Sequence, residues 1–361
     1  MPYNTVYAWS GTSASGPVYS TTDGSTWSAF LNPSPAVAFF WMDQFNSGQN
    51  GIYNDTSGNS YYTTNTGSTW TAVSSVPSGA KVVACLPDGT LIAASCANYA
   101  SITAYYSTNG GTSWTSVSLP SQSSNMLFMN GSTNGTDCLF VRGSDGSLFM
   151  LGQDTANTTV SVWKSTNEGS SWSRVYSSSS FPDDIYGVSY HKTSSNDMLI
   201  YPYLISAGGV GVLRSPDLGS TWSRVTVDNS LHGSYSGGQY ASAYPMYRYG
   251  NPGYMANGDW LMSGAYQNDA AGDASLLFWR STDDGASWSS ATPSGITIAA
   301  AATPVTVYSF LWSDTNSVSW ACLTPNKNNG GVWKSTDNGS TWSSYTNSPW
   351  NSAGMRALWC P

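Results

Sequence analysis

Apolar residues in this chain come in short runs, each closed within a few positions by Gly, Asn, Asp, Ser or Pro, and no stretch keeps a helical spacing of apolar positions. Residues 82–96 (VVACLPDGTLIAASC) and 138–153 (CLFVRGSDGSLFMLGQ) each place an apolar run, an Asp-Gly turn and a second apolar run, which predicts two β-hairpins. Residues 254–264 (YMANGDWLMSG) repeat the pattern, so the stretch from about Val225 to Tyr247 reads as an unusually long connection. Residues 37–45, 185–191 and 305–312 are apolar at equivalent places and read as the first strands of further units.

Between these hairpins one phrase recurs. It begins as STTDGSTW at Ser20 and returns at Thr63, Ser107, Ser165, Ser215, Ser281 and Ser335, with its tryptophans at Trp27, Trp70, Trp114, Trp172, Trp222, Trp288 and Trp342. The spacings of 43 to 66 residues are those of a repeated supersecondary unit. Its third residue is Asn65, Asn109, Asn167, Asp217, Asp283 or Asp337, and Thr22 in the first copy. An Asn or Asp there bonds backbone amides just ahead of it, and the Gly two positions on supplies a positive φ. The phrase is therefore a tight hairpin turn, and its Trp starts the next strand where a flat ring covers the layer between sheets.

The seven phrases match the Asp box, S-x-D-x-G-x-[ST]-W, and the chain resembles the Asp-box (bacterial neuraminidase repeat) β-propellers, of sialidase-like fold, over nearly its full length. The resemblance implies an all-β, seven-bladed propeller with four-stranded antiparallel blades, a single domain spanning 1–361. It also implies that the boxes join third and fourth strands on the face away from the functional site. The first unit lacks its first strand, while the C-terminus has a surplus segment, 354–360 (GMRALWC), that fits the vacancy. A strand from each terminus would then close the ring and remove its exposed edges.

Composition narrows the partners. Charged residues are 9% and aromatics 14%, with a net charge of -8, so no basic stripe exists to hold phosphates and nucleic acid is excluded as a partner. No apolar run is long enough to cross a membrane. The hydroxyl-rich, lysine-poor surface is that of a secreted, monomeric protein, here without a signal peptide. Cys85, Cys96, Cys138, Cys322 and Cys360 show no metal-binding spacing; Cys96 and Cys138 pairing across adjacent blades and buried free thiols both stay open. No cofactor or metal is called for, and a structural Ca2+ is left open. Sequons stand at Asn54, Asn130, Asn134, Asn157 and Asn338, about as many as so Asn-, Ser- and Thr-rich a chain gives by accident.

The site is expected on the face opposite the boxes, where loops differ from blade to blade. Lys164, Arg214, Arg280 and Lys334 precede the phrase and Arg174 and Arg224 follow it, so all six read as repeat features. Arg142, Arg248 and Arg356 remain, each on an inner strand, and an arginine fork suits a carboxylate. The sialidase pattern itself is not met: no arginine precedes Arg142, and the one glutamate, Glu168, lies inside a box. Glycoside hydrolysis by two carboxyl groups would fall to aspartates, with Asp183 and Asp184 best placed and Asp55, Asp269 and Asp273 next. The long connection carries His232 among Tyr235, Tyr240 and Tyr244, and a His or Tyr base beside an Arg-neutralised uronate is the chemistry of a polysaccharide lyase. His191 reads as a satisfied channel residue.

The expected function is thus a secreted carbohydrate-active protein, leaning to an exo-acting glycoside hydrolase or polysaccharide lyase on an acidic, uronate-like oligo- or polysaccharide. His232, Tyr240, Asp183 and Asp184 are the catalytic candidates; Arg248, Arg356, Tyr186, Tyr235, Tyr266 and Trp350 are the substrate-binding ones. The alternative is a sugar-binding lectin without catalysis, with aromatic rings stacking on sugars. Because the loops differ in length and content, one asymmetric site is expected over several equal ones.

Overall fold

The computed structural model describes residues 5–9, 17–22, 26–43, 45, 48–95, 101–122, 140–154, 159–178, 185, 187–193, 196–205, 209–228, 246–249, 252–267, 274–292, 294–295, 310–313, 319–323, 331–344 and 357–359. Among them every regular element is a strand, and the strands make seven antiparallel sheets, numbered here in chain order. Sheet 2 runs Val37–Met42, Gly51–Asp55, Ser60–Thr63 and Thr71–Ala72, each strand beside the next. Sheets 3, 4, 5 and 7 repeat this four-strand meander from Ala80–Cys85, Phe140–Arg142, Ser189–Lys192 and Phe310–Ser313 respectively.

Sheet 1 draws on both ends of the chain. Val6–Trp9, Val18–Thr21 and Ser28–Leu31 follow in order, and Ala357–Trp359 adds an antiparallel strand on the other side of Val6–Trp9, with Tyr7 opposite Trp359 and Trp9 opposite Ala357. Sheet 6 departs from the sequence reading. Both Met246–Tyr249 and Gly253–Tyr254 pair with Trp260–Gln267, so the first strand comes in two pieces and starts before residue 254. The long connection is shorter than expected at both ends, because Ser223–Asp228 is the outer strand of sheet 5. In sheet 5 the first strand starts at Ser189, and Ile185 makes only an isolated bridge to Tyr203.

The core lies in the seams between consecutive sheets, and the two-residue period of a strand builds it. In Leu148–Asp154, Leu148 and Met150 pack with Ile92 and Ala94 of sheet 3, while Phe149 and Leu151 pack with Leu199 and Tyr201 of sheet 5. In Asp197–Ile205 the alternation continues: Leu199 and Tyr201 face sheet 4, and Met198 and Ile200 face Trp260, Met262 and Trp279 of sheet 6. Both faces of each middle strand are thus buried, which is why these strands read as nearly continuous apolar runs.

The recurring turns lock the seams. In the fourth copy Ser165 Oγ donates to Asn167 Oδ1 (3.0 Å) and accepts the Gly169 amide (3.0 Å), while Asn167 Oδ1 accepts the Ser171 amide (3.0 Å). The fourth position also holds positive φ, in Thr66, Gly110, Glu168, Leu218, Asp284 and Asn338, a feature its varied side chains conceal. A Cβ on Gly169 would stand 2.7 Å from the end of the Ile92 side chain of sheet 3, and one on Gly339 2.6 Å from that of Leu261 of sheet 6, so the preceding sheet's side chains would have to give way in addition to the strain that the positive φ imposes. The cation before the phrase completes the lock. Lys164 Nζ donates to the Leu218 carbonyl (2.9 Å), Arg214 Nε to that of Asp284 (2.9 Å) and Arg280 to that of Asn338 (2.7 Å), each reaching the fourth position of the next sheet's turn.

Candidate functional site

The boxes join third to fourth strands, so their side of the molecule also carries the turns from first to second strands; the connections between sheets lie on the opposite side. On the box side, side chains from three non-neighbouring stretches meet. Asp43, wholly buried in the turn after Val37–Met42, accepts two bonds from Arg142 Nη1 at the end of Phe140–Arg142 (3.0 and 3.2 Å) and one from the Phe45 amide (2.9 Å). The Phe45 ring lies 5.6 Å under the Arg142 guanidinium and meets Tyr190 of sheet 5 edge-on at 5.3 Å. Tyr190 Oη and Ser144 Oγ both donate to Asp197 Oδ1 (2.7 Å each), and Lys192 Nζ donates to Ser144 Oγ (3.1 Å). Sheets 2, 4 and 5 are tied together by this network.

Burial pushes the Asp43 carboxyl above its ordinary value, and the Phe45 amide and Arg142, which favour the ionised form, offset only part of that. Arg142 is therefore engaged with Asp43 at the box end. Nearby, burial lowers His191 to about 4. The ring stacks on Tyr254 of sheet 6 (4.1 Å) with Trp260 edge-on, and is neutral at neutral pH. It packs as a neutral ring against the aromatic side chains of sheet 6. Burial likewise raises the Cys85 thiol to about 11, so it stays protonated. Glu168, in its box, is raised chiefly by the adjacent Asp88 carboxylate. Among the described residues no group of three His, Cys, Asp or Glu converges as metal ligands.

On the opposite side the described residues are fewer. His232, Tyr240, Asp183, Asp184, Tyr186, Tyr235, Arg356 and Trp350 lie outside them, as do Asp269, Asp273, Cys96 and Cys138. Arg248 and Tyr266 are placed by their backbone. Met246 pairs with Tyr266 and Arg248 with Ala265, so the two candidates sit on neighbouring strands of sheet 6, next to an irregularity in the register. That end of the strand is remote from the turn at 255–259, and so belongs to the side away from the boxes. Asp55 is not a free carboxylate: Oδ1 accepts the Ser57 and Asn59 amides (2.9 and 2.8 Å) and Oδ2 the Asn59 side chain (2.8 Å), which caps its own turn. Asp228 accepts the Trp279 indole N–H (3.0 Å). Asn54, the first sequon, is buried with Nδ2 bonded to the Val82 carbonyl (2.8 Å), which removes it as a glycosylation acceptor in the folded chain.

The sequence places Lys81 at the end of a loop, Ser78 to Lys81, on the expected site face but does not single it out as a candidate residue. It stands second in Ala80–Cys85, opposite Ala94, at the end of the first strand away from the boxes, partly exposed. The signal that finds it is a cation opening a first strand outside the repeated phrase.

The fold is all-β, made of four-stranded antiparallel sheets in a propeller-like arrangement. It is similar to the GH74 xyloglucanase from Xanthomonas campestris, with 15% identity and a TM-score of 0.52, covering 85% of this chain and 45% of that enzyme. It is also similar to a PL25 ulvan lyase, with 10% identity and a TM-score of 0.52, covering 82% of this chain and 80% of the lyase. The same lyase bound to -[GlcA(1-4)Rha3S]- gives 10% identity, 82% and 80% coverage and a TM-score of 0.50. The chain thus spans less than half the length of the xyloglucanase it matches. No protein-family model matches the chain, and no curated protein does. At such identities the likeness is one of fold.

Proposed function

We propose that the seven sheets are the blades of one closed propeller, sealed by Ala357–Trp359, and that the protein is an extracellular, monomeric, exo-acting glycoside hydrolase or polysaccharide lyase on an acidic glycan. Its single site lies on the face opposite the boxes. The observation that carries the reading is the engagement of the box face among the described residues: its cations, turn carboxylates and glycines are taken up in seams, and sheets 2 and 4 are tied together at that end by Asp43 and Arg142. One face is left for a ligand, and there Arg248 and Tyr266 stand one register step apart. Similar folds serving a xyloglucanase and an ulvan lyase support a glycan as the ligand.

In the lyase form Arg248 and Arg356 neutralise the uronate carboxylate, which acidifies the α proton. His232 or Tyr240 removes that proton, the electron pair forms the carbon–carbon double bond, and the glycosidic bond breaks as its oxygen takes a proton. In the hydrolase form Asp183 and Asp184 serve as the acid and its partner, and water is consumed. Tyr186, Tyr235, Tyr266 and Trp350 supply stacking rings. Incubation with uronic-acid polysaccharides separates the cases. Ultraviolet absorbance from an unsaturated product marks elimination, new reducing ends without absorbance mark hydrolysis, and retention on a glycan surface without turnover marks a lectin. If His232→Ala and Arg248→Ala leave turnover intact, the site assignment is wrong.

A further inference from the structure

Of the twelve lysines and arginines, the nine whose side chains are described sort sharply by partner. Lys164, Arg214 and Arg280 bond carbonyls of the following sheet, Arg174 bonds the Ser121 carbonyl, and Arg142 and Lys192 pair with Asp43 and Asp197. Arg224 and Lys334 also have partners. Among the described cationic side chains, Lys81 stands apart, with no hydrogen bond or ion pair to any described residue. It opens a first strand on the side away from the boxes, in a protein of net charge -8. The described carboxylates on that side, Asp55 and Asp228, are already bonded elsewhere.

We infer that Lys81 is a second anion-binding position of the site, so that the glycan carries an acidic substituent on a different sugar from the one whose carboxylate meets Arg248. The inference rests on the function proposed above. Lys81 belongs to sheet 3 and Arg248 to sheet 6, with two sheets between them, so the two address separate sugars. An ammonium on a flexible stem suits a sulfate ester or a second carboxylate, since it needs no fixed fork geometry.

The test is calorimetric binding of a sulfated uronate oligosaccharide, its desulfated counterpart and a neutral glycan to the full chain. The wild type should favour the sulfated ligand. Lys81→Gln should weaken that ligand about tenfold, the size of one charge-assisted hydrogen bond, and leave the desulfated one unchanged. Lys81→Arg should restore the preference, and an unaltered unfolding midpoint would show that the fold is kept. Equal affinities of wild type and Lys81→Gln for both acidic ligands would overturn the role of Lys81 while leaving the site reading intact. Binding of the neutral glycan alone would overturn that reading, and this inference with it.

Discussion

Thr66 is β-branched, exposed and held at φ 59° in the second recurring turn, a conformation that costs an L-residue about 1 to 2 kcal/mol. Asparagine tolerates it better, so Thr66→Asn should raise stability by up to about 1 kcal/mol in urea unfolding. The tryptophans differ in a second way. Trp172 donates its indole N–H to the Gly169 carbonyl (3.1 Å), whereas the buried Trp70 nitrogen has no acceptor among the described residues and its ring packs on Tyr53 and Phe40. Trp172→Phe leaves a carbonyl unsatisfied and should cost about 1 to 2 kcal/mol more than Trp70→Phe by the same measurement. The third-position Asn or Asp and the glycine were legible in the sequence because one residue type meets each requirement. The fourth position was not, since its carbonyl does the work and every residue has one.

At the level of the turn, copies two to four carry Asn at the third position and copies five to seven carry Asp. In Asp337 partial burial works to raise the carboxyl, and hydrogen bonds from Thr341, Ser335 and Ser340 outweigh it, leaving it lowered to about 2; Asp217 and Asp283 are lowered in the same way. A carboxyl depressed in the folded state contributes stability that is complete above its ordinary value of 3.8 and is lost as pH falls through the depressed one. Acid should therefore loosen sheets 5 to 7 before sheets 2 to 4. Hydrogen exchange between pH 4 and pH 2, limits set by those values, checks this, and Asp283→Asn with Asp337→Asn should flatten the response. Strands flanking each phrase were readable because turn and strand chemistry are local. The split first strand of sheet 6 was not, since pairing with Trp260–Gln267 decides it.

Across the whole molecule, Asp43 and Arg142 join stretches 99 residues apart. Arg142→Met leaves a buried carboxylate uncompensated and should cost about 3 to 5 kcal/mol, much of it regained in Asp43→Asn/Arg142→Met. Asp43 is raised in the fold, so its ionised form opposes folding as pH rises, and losing Arg142 raises it further. The deficit of Arg142→Met against wild type should accordingly shrink on acidification, as denaturation at a series of pH values will show. Removing residues 354–361 takes away the partner of Val6–Trp9 and bares a strand edge, so it should lower the unfolding midpoint far more than trimming a free tail.

The sequence by itself determined the repeat, the turn chemistry and the all-β class, because each rests on residues within a few positions of one another. It also marked Arg248 and Tyr266 as candidates. Only the tertiary structure decided that Arg142 is taken by Asp43, that Asp55 caps its own turn and that Lys81 has no bonding partner among the described residues, since each depends on which side chain another sheet or turn brings within bonding distance.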